Sequence, residues 1–174
     1  VRLSYKKPLE TFSTNILGSA NILEYSRHCK SLKSLIYVTS DKCYENKENN
    51  KAYKESDRIG GSDPYSASKA AAENLFSSYL KSFFVFNKFG ASTVRSGNVI
   101  GGGDWSVDRI IPDIIKSLKK KKNLIVRNPN STRPWQHVLE PLTGYLILAM
   151  KNYGNKKFSG AWNFGPTTSE TISV

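Results

Sequence analysis

Cysteine is scarce in this chain: Cys29 and Cys43 are the only two in 174 residues. Two thiols without a repeated spacing give neither a disulfide framework nor a metal-ligand pattern, and they fit a reducing, cytoplasmic setting. No metal site is expected. Long apolar runs are missing as well. None approaches the roughly 20 residues that cross a bilayer, and Val1-Arg2-Leu3-Ser4 has no signal-peptide character, so no membrane partner is expected. Internal repeats and low-complexity segments are absent. The spacing of a dinucleotide fingerprint is absent too, because Gly101-Gly102-Gly103 lacks the required intervals and reads as an irregular loop. Acidic residues are outnumbered: 14 Asp and Glu against 26 Lys and Arg leave a formal charge of +12. Such a charge suits a phosphate-rich partner, or a solvated lysine-rich surface. No nucleic-acid module signature accompanies it. The densest run, Lys119 to Lys122, falls at the expected end of a helix, where cations complement the helix dipole. Nucleic acid is therefore not the expected partner.

What is present suits one α/β domain with a packed core, since 39% of residues are hydrophobic and 11% aromatic. Val1 to Pro8 reads as a strand exit and loop. From Glu10 to about Cys29, Phe12, Ile16, Ala20 and Leu23 recur at helical spacing, and Pro8 suits the helix start. Asn15 lies within that helix, as a solvated amide or as a bonding residue beside a site. Ser34 to Ser40 reads as a buried parallel strand. Glu45 to Gly61 is a long polar loop, and Asp63-Pro64 opens a helix from Tyr65 to about Phe83. Ala70, Ala71 and Ala72 leave one side of it thin. Gly90 to Ser96 is the next strand. Arg109 to Pro112 opens a helix with Ile111, Ile114, Ile115 and Leu118 on its inner side. Leu124-Ile125-Val126 reads as a short strand, Pro141 to Met150 as a helix, Ala161 to Phe164 as a last strand, and Thr171 to Val174 as a helix start.

Two stretches carry chemistry. Tyr65-Ser66-Ala67-Ser68-Lys69 sets a phenol and an ammonium one helical turn apart on a shared face, and the positive neighbour is expected to lower the phenol's pKa. That spacing arises often by chance. Thr39-Ser40-Asp41-Lys42 follows a parallel strand, at the carboxyl end where α/β sheets bind ligands. Arg127, Arg133, Trp135 and His137 crowd a later loop, and arginine pairs well with phosphate. Trp135 reads as packing and His137 as a structural histidine.

With both stretches placed, the chain resembles the extended short-chain dehydrogenase/reductase superfamily, and within it the nucleotide-sugar 4,6-dehydratases, in particular the CDP-glucose branch. Thr39-Ser40-Asp41-Lys42-Cys43-Tyr44, the run from Arg95 to Trp105, the run from Arg133 to Pro141 and Ala161-Trp162-Asn163-Phe164-Gly165-Pro166 carry the likeness, in collinear order. The glycine-rich cofactor half of that family has no counterpart here, so an internal fragment is expected.

The resemblance implies a partial Rossmann-like doubly wound parallel sheet. Residues 1–100 would be the C-terminal part of the NAD-binding domain with the catalytic residues. Residues 101–174 would belong mainly to a smaller α/β sugar-nucleotide-binding region, returning in part to the core. It implies NAD as cofactor, a CDP-sugar as substrate, and a homodimer or homotetramer paired through the helices at Glu10 and Tyr65. Tyr65 would be the base at the sugar C4 hydroxyl, with Lys69 lowering its pKa and holding the nicotinamide ribose and Ser40 bonding the same hydroxyl. Asp41 would protonate the leaving C6 hydroxyl and Lys42 would take the C5 proton. Thr39 and Ser96 would line the nicotinamide pocket; Asn98, Arg109, Arg127 and Arg133 would grip the nucleotide diphosphate. Two other readings stand beside this one: another nucleotide-sugar dehydratase or epimerase, and a non-catalytic basic nucleotide- or RNA-binding protein on the same scaffold.

Overall fold

The computed structural model describes residues 1–47, 52–126, 128–129, 131–166 and the backbone pairing of 172–173. Its first element, α1 (Arg2–Lys6), is a short helix, where the sequence pattern predicts a strand exit and loop. Lys7 ends it at φ −136°, ψ 62°, because the ring of Pro8 disfavours helical backbone in the residue before it. Pro8 then takes the first position of α2 (Pro8–Phe12), where a missing N–H loses no bond. A π-helical turn, Ser13–Leu17, leads into α3 (Gly18–His28), so the single helix expected from Glu10 to Cys29 is interrupted around Asn15. Next come β1 (Ser34–Val38), a 3-10 turn at Asp41–Cys43, and the long α4 (Pro64–Ser82). A second 3-10 turn, Phe84–Phe86, leads to β2 (Gly90–Ser96) and β3 (Val99–Ile100). The rest is α5 (Ile110–Lys119), β4 (Thr132–Arg133), β5 (Gln136–His137), α6 (Leu139–Asn152), β6 (Gly160–Phe164) and β7 (Ile172–Ser173).

β1, β2 and β6 form a parallel sheet in the order β1-β2-β6. Helices cover both faces, as the expected α/β class requires. Side chains alternate along β2. Thr93 and Arg95 point to α4, where both bond Glu73, whereas Ser92 and Ser96 point to α6, where they meet Asn152 and Tyr145. Residues 90 to 95 of this central strand are all buried. Leu23, Phe76, Phe84, Phe89 and Ala91 form the core between α3, α4 and the sheet, with Leu35, Tyr37 and Tyr79 against it. Of the three successive alanines of α4, Ala70 and Ala72 are buried. Among the described residues no helix is long and apolar enough to cross a membrane.

Three further expectations fail, each for want of a tertiary partner or because of an unexpected one. Residues 124–126 form no strand, and Ile125 is 85% exposed, since no strand among the described residues pairs with them. α5 leaves Ile115 and Leu118 exposed, so its apolar stripe is only partly an inner side. Ile172–Ser173 pairs antiparallel with β4 instead of starting a helix. That partner lies some forty residues back, beyond the reach of local pattern.

Candidate active site

Beyond β1 the chain stays tied to the sheet for one more residue, through the Thr39 N–H to Val94 O bond of 3.0 Å. Ser40 then caps the turn at Asp41–Cys43. Its Oγ accepts the Lys42 N–H and donates to Asp41 Oδ1, each at 3.1 Å. A Cβ on Gly97 would stand 3.4 Å from Asp41 Oδ2 and 2.7 Å from Pro134 Cγ, so the glycine lets Asp41 and the Pro134 loop converge. Asp41 is half-buried; Lys42 is exposed, so the described residues do not enclose it.

Across from this turn, α4 begins as its sequence predicts. Asp63 Oδ1 accepts the N–H groups of Tyr65 and Ser66 at 3.0 and 3.1 Å, and Pro64 fills the first helical position. Tyr65 and Lys69 share a face, with Lys69 Nζ 5.9 Å from the Tyr65 ring centroid. Asn15 supports this helix from the π-helical turn: its Nδ2 donates to Ser68 Oγ at 2.9 Å, and that hydroxyl donates to Tyr65 O at 2.7 Å.

The electrostatics of Tyr65 correct one expectation. Burial pushes its phenol up, and the Asp41 and Asp63 carboxylates push the same way; the nearby Ser40 hydroxyl and the charge of Arg109 oppose them and lose. Lys69 is not among the strongest influences on it. Lys69 itself is pulled down by burial, against the pull of Glu73. The structure thus brings Ser40, Asp41 and Arg109 within electrostatic reach of Tyr65.

Other candidates fall elsewhere. The Thr39 hydroxyl, expected to line the nicotinamide pocket, is buried and donates to Glu73. Ser96 shares its hydroxyl with that of Tyr145. Asn98 is half-buried, and its carbonyl accepts the Gln136 N–H at 3.1 Å. Arg109 is exposed, 3.9 Å from Asp104. Arg133 is half-buried, with its guanidinium on Thr132 O at 2.8 Å. Arg127 lies outside the described residues. Trp135 is half-buried, and His137 accepts the Leu139 N–H through Nδ1, as a structural histidine would.

Sequence reasoning missed Glu73, Arg95, Tyr44 and Asn163, which form a buried polar network behind the candidate site. The signals were available. Glu73 continues the row Tyr65-Lys69 by one more turn, and Arg95 is a charge inside an otherwise uncharged central strand.

The profile of the NAD dependent epimerase/dehydratase family matches residues 1–165. The chain belongs to this family. It is 48% identical over 180 residues to CDP-glucose 4,6-dehydratase of Salmonella typhimurium, covering all of this chain and 50% of that protein. It is 31% identical over 159 residues to dTDP-D-glucose 4,6-dehydratase of Dictyostelium discoideum, covering 85% of this chain and 35% of that one. The chain thus spans about half the length of the curated relatives it matches, or less. Among solved structures, the NAD complex of dTDP-glucose 4,6-dehydratase from Bacillus anthracis superposes with a TM-score of 0.76 at 21% identity, over 93% of this chain and 49% of that one. UDP-N-acetylglucosamine 4-epimerase from Methanobrevibacter ruminantium, in complex with UDP-N-acetylmuramic acid, gives 0.80 at 23%, over 100% and 53%. At such identities the structures establish the fold alone.

The residues fit the cofactor in the family's name. Lys69 is half-buried and makes no hydrogen bond to any described residue, which leaves three donors for a ribose diol. It stands on the same helix face as a phenol, at the carboxyl side of the sheet where α/β folds bind nucleotides.

Proposed function

We propose that this chain carries the catalytic residues of an NAD-dependent CDP-glucose 4,6-dehydratase. The observation that carries the reading is the turn after β1, in which the hydroxyl that meets Tyr65 is followed directly by an acid and an amine. Oxidation needs only the hydroxyl and the phenol. An acid and a base beside them suit an elimination, and the 48% likeness to a CDP-glucose enzyme favours the cytidine nucleotide.

Tyr65, as phenolate, removes the proton of the sugar C4 hydroxyl, and Ser40 hydrogen-bonds that hydroxyl and orients it. NAD, when bound, supplies the hydride acceptor for C4, the donor for C6, and a positive charge that favours the phenolate. Lys69 holds the ribose. Once C4 is a ketone, the C5 proton is acidified; Lys42 removes it while Asp41 protonates the departing C6 hydroxyl. Arg109, Arg133, Asn98 and Arg127 hold the nucleotide diphosphate. Thr39 and Ser96 act from behind the nicotinamide side through Glu73 and Tyr145.

Residues 1–100 carry the catalytic part of the cofactor domain. Residues 101–174 carry the sugar-nucleotide region and return to the sheet as β6, beside β2. Exposed Leu17, Ile22 and Tyr25 on and beside α3 favour a homodimer or homotetramer. A cytoplasmic location goes with this reading. The test is the intact protein with NAD⁺ and a panel of CDP-, dTDP-, UDP- and GDP-sugars, scored for the 4-keto-6-deoxy product. Turnover of CDP-glucose is expected. Turnover of another sugar nucleotide with CDP-glucose untouched would overturn the reading.

A further inference from the structure

Behind the candidate site lies an ion pair that takes no part in the proposed proton and hydride transfers. Glu73 and Arg95 are each 3% exposed and joined by two bonds, Nη2 to Oε2 at 2.6 Å and Nε to Oε1 at 2.9 Å. Burial, which favours a neutral side chain, is outweighed at Arg95 by Glu73, so its guanidinium is held more firmly charged than usual. Such pairs seldom add stability, because desolvation offsets the attraction, and apolar side chains of similar volume often serve the fold as well. Their worth lies in the geometry they impose.

Here the geometry is specific. Glu73 Oε1 accepts the hydroxyl of Thr39, the residue before Ser40. Arg95 Nη1 donates to the Tyr44 hydroxyl at 2.6 Å, and the guanidinium carbon lies 4.9 Å from the centroid of that ring. Tyr44 in turn donates to Asn163 Oδ1 at 2.7 Å. The pair therefore grips both ends of the segment Thr39–Tyr44, whose middle carries Ser40, Asp41 and Lys42. Glu73 also stands on α4 one turn past Lys69 and two past Tyr65, so the same carboxylate belongs to the row that presents the phenol and the amine.

We propose that Glu73 and Arg95 are positioning residues: a buried clamp that sets the Ser40-Asp41-Lys42 turn in register with Tyr65 and Lys69. The Thr39 end governs Ser40 and so oxidation; the Tyr44 end governs Asp41 and Lys42 and so elimination. Neither charge touches substrate. Displacing a reacting group by about 1 Å costs roughly a hundredfold in rate, which is the scale on which such a clamp acts.

The kinetic part of this inference rests on the proposed function, so the test has two arms on the intact protein. In the first, amide hydrogen exchange is measured without substrate for Tyr44→Phe, Thr39→Val and the double variant Glu73→Leu/Arg95→Met. Faster exchange at residues 40–44 with an unchanged melting temperature is expected; unchanged exchange there overturns the clamp. In the second, single turnovers with CDP-glucose are followed by nicotinamide absorbance. Tyr44→Phe is expected to slow elimination about tenfold or more, so that reduced nicotinamide accumulates. Thr39→Val is expected to slow oxidation without accumulation, and KM is expected to stay within about twofold in both. A fall in kcat that only tracks lost folded protein overturns the proposal, as does full activity in the double variant. If the wild-type protein leaves CDP-glucose untouched, the functional reading fails, and the exchange arm still decides the clamp.

Discussion

Asp63 holds Tyr65 through the backbone: its carboxylate accepts the Tyr65 N–H at 3.0 Å and so fixes the first turn of the helix that presents the phenol. Asp63→Ala is expected to lower stability by about 1 kcal/mol, and Asp63→Ser by less, in urea unfolding. Burial would raise the carboxyl's pKa, but hydrogen bonds from Ser66 and the Tyr65 N–H overcome it and hold it below its ordinary value. A depressed folded value means that the cap's full contribution is present above the unfolded value of ~3.9 and is lost as pH falls through the folded one. The Asp63→Ala deficit should therefore shrink in strong acid.

Ser40 is the group that opposes burial most at Tyr65. Removing its hydroxyl lets the phenol rise further. Ser40→Ala should lower kcat about a hundredfold and move the acid limb of the pH–rate profile to higher pH. A normal rate with an unmoved limb would separate Ser40 from Tyr65.

Gly61 faces the start of α4 so closely that a Cβ there would lie 2.3 Å from the Ser66 carbonyl carbon and 2.4 Å from the Ala67 nitrogen. Backbone on the far side cannot rotate away. Gly61→Ala is expected to cost about 1–3 kcal/mol in thermal or urea unfolding and to reduce kcat with it, because the displaced turn carries Tyr65.

The two thiols should differ in reactivity. Burial pushes Cys43 up to about 12, whereas a hydrogen bond from Ser31 lowers Cys29, which is half-exposed. Alkylation at neutral pH, read by mass spectrometry, should mark Cys29 and spare Cys43 until unfolding. An unfolded thiol ionises near ~8.5 while the folded Cys43 keeps its proton to about 12, so its protonation favours the fold less and less as pH rises across that window.

The α/β class, β1, β2, β6 and the capped start of α4 were legible because each rests on local signals: a short apolar run, an Asp-Pro cap, a helical period. α1 was hidden because Pro8 reads as a beginning and masks what precedes it. β7 and the bare segment at 124–126 turn on pairing with distant strands, which no local window contains. In the site, Ser40, Asp41 and Tyr65 are adjacent as their motifs imply. The pKa of Tyr65 was misjudged because burial, a property of the whole fold, outweighs a neighbour one turn away. Glu73 and Arg95 carried visible oddities, but their meaning lies in the contact between them, across 22 residues.

β6 has one further consequence, for how the chain reaches its fold. It pairs with β2 in parallel, Gly160 beside Ser92, two residues that stand 68 apart in sequence. A pairing at that separation must close a long loop before any of its contacts form, so it comes late and slowly. Refolding of the sheet is therefore timed by the docking of β6, and a stalled chain is one in which β2 still waits for that neighbour.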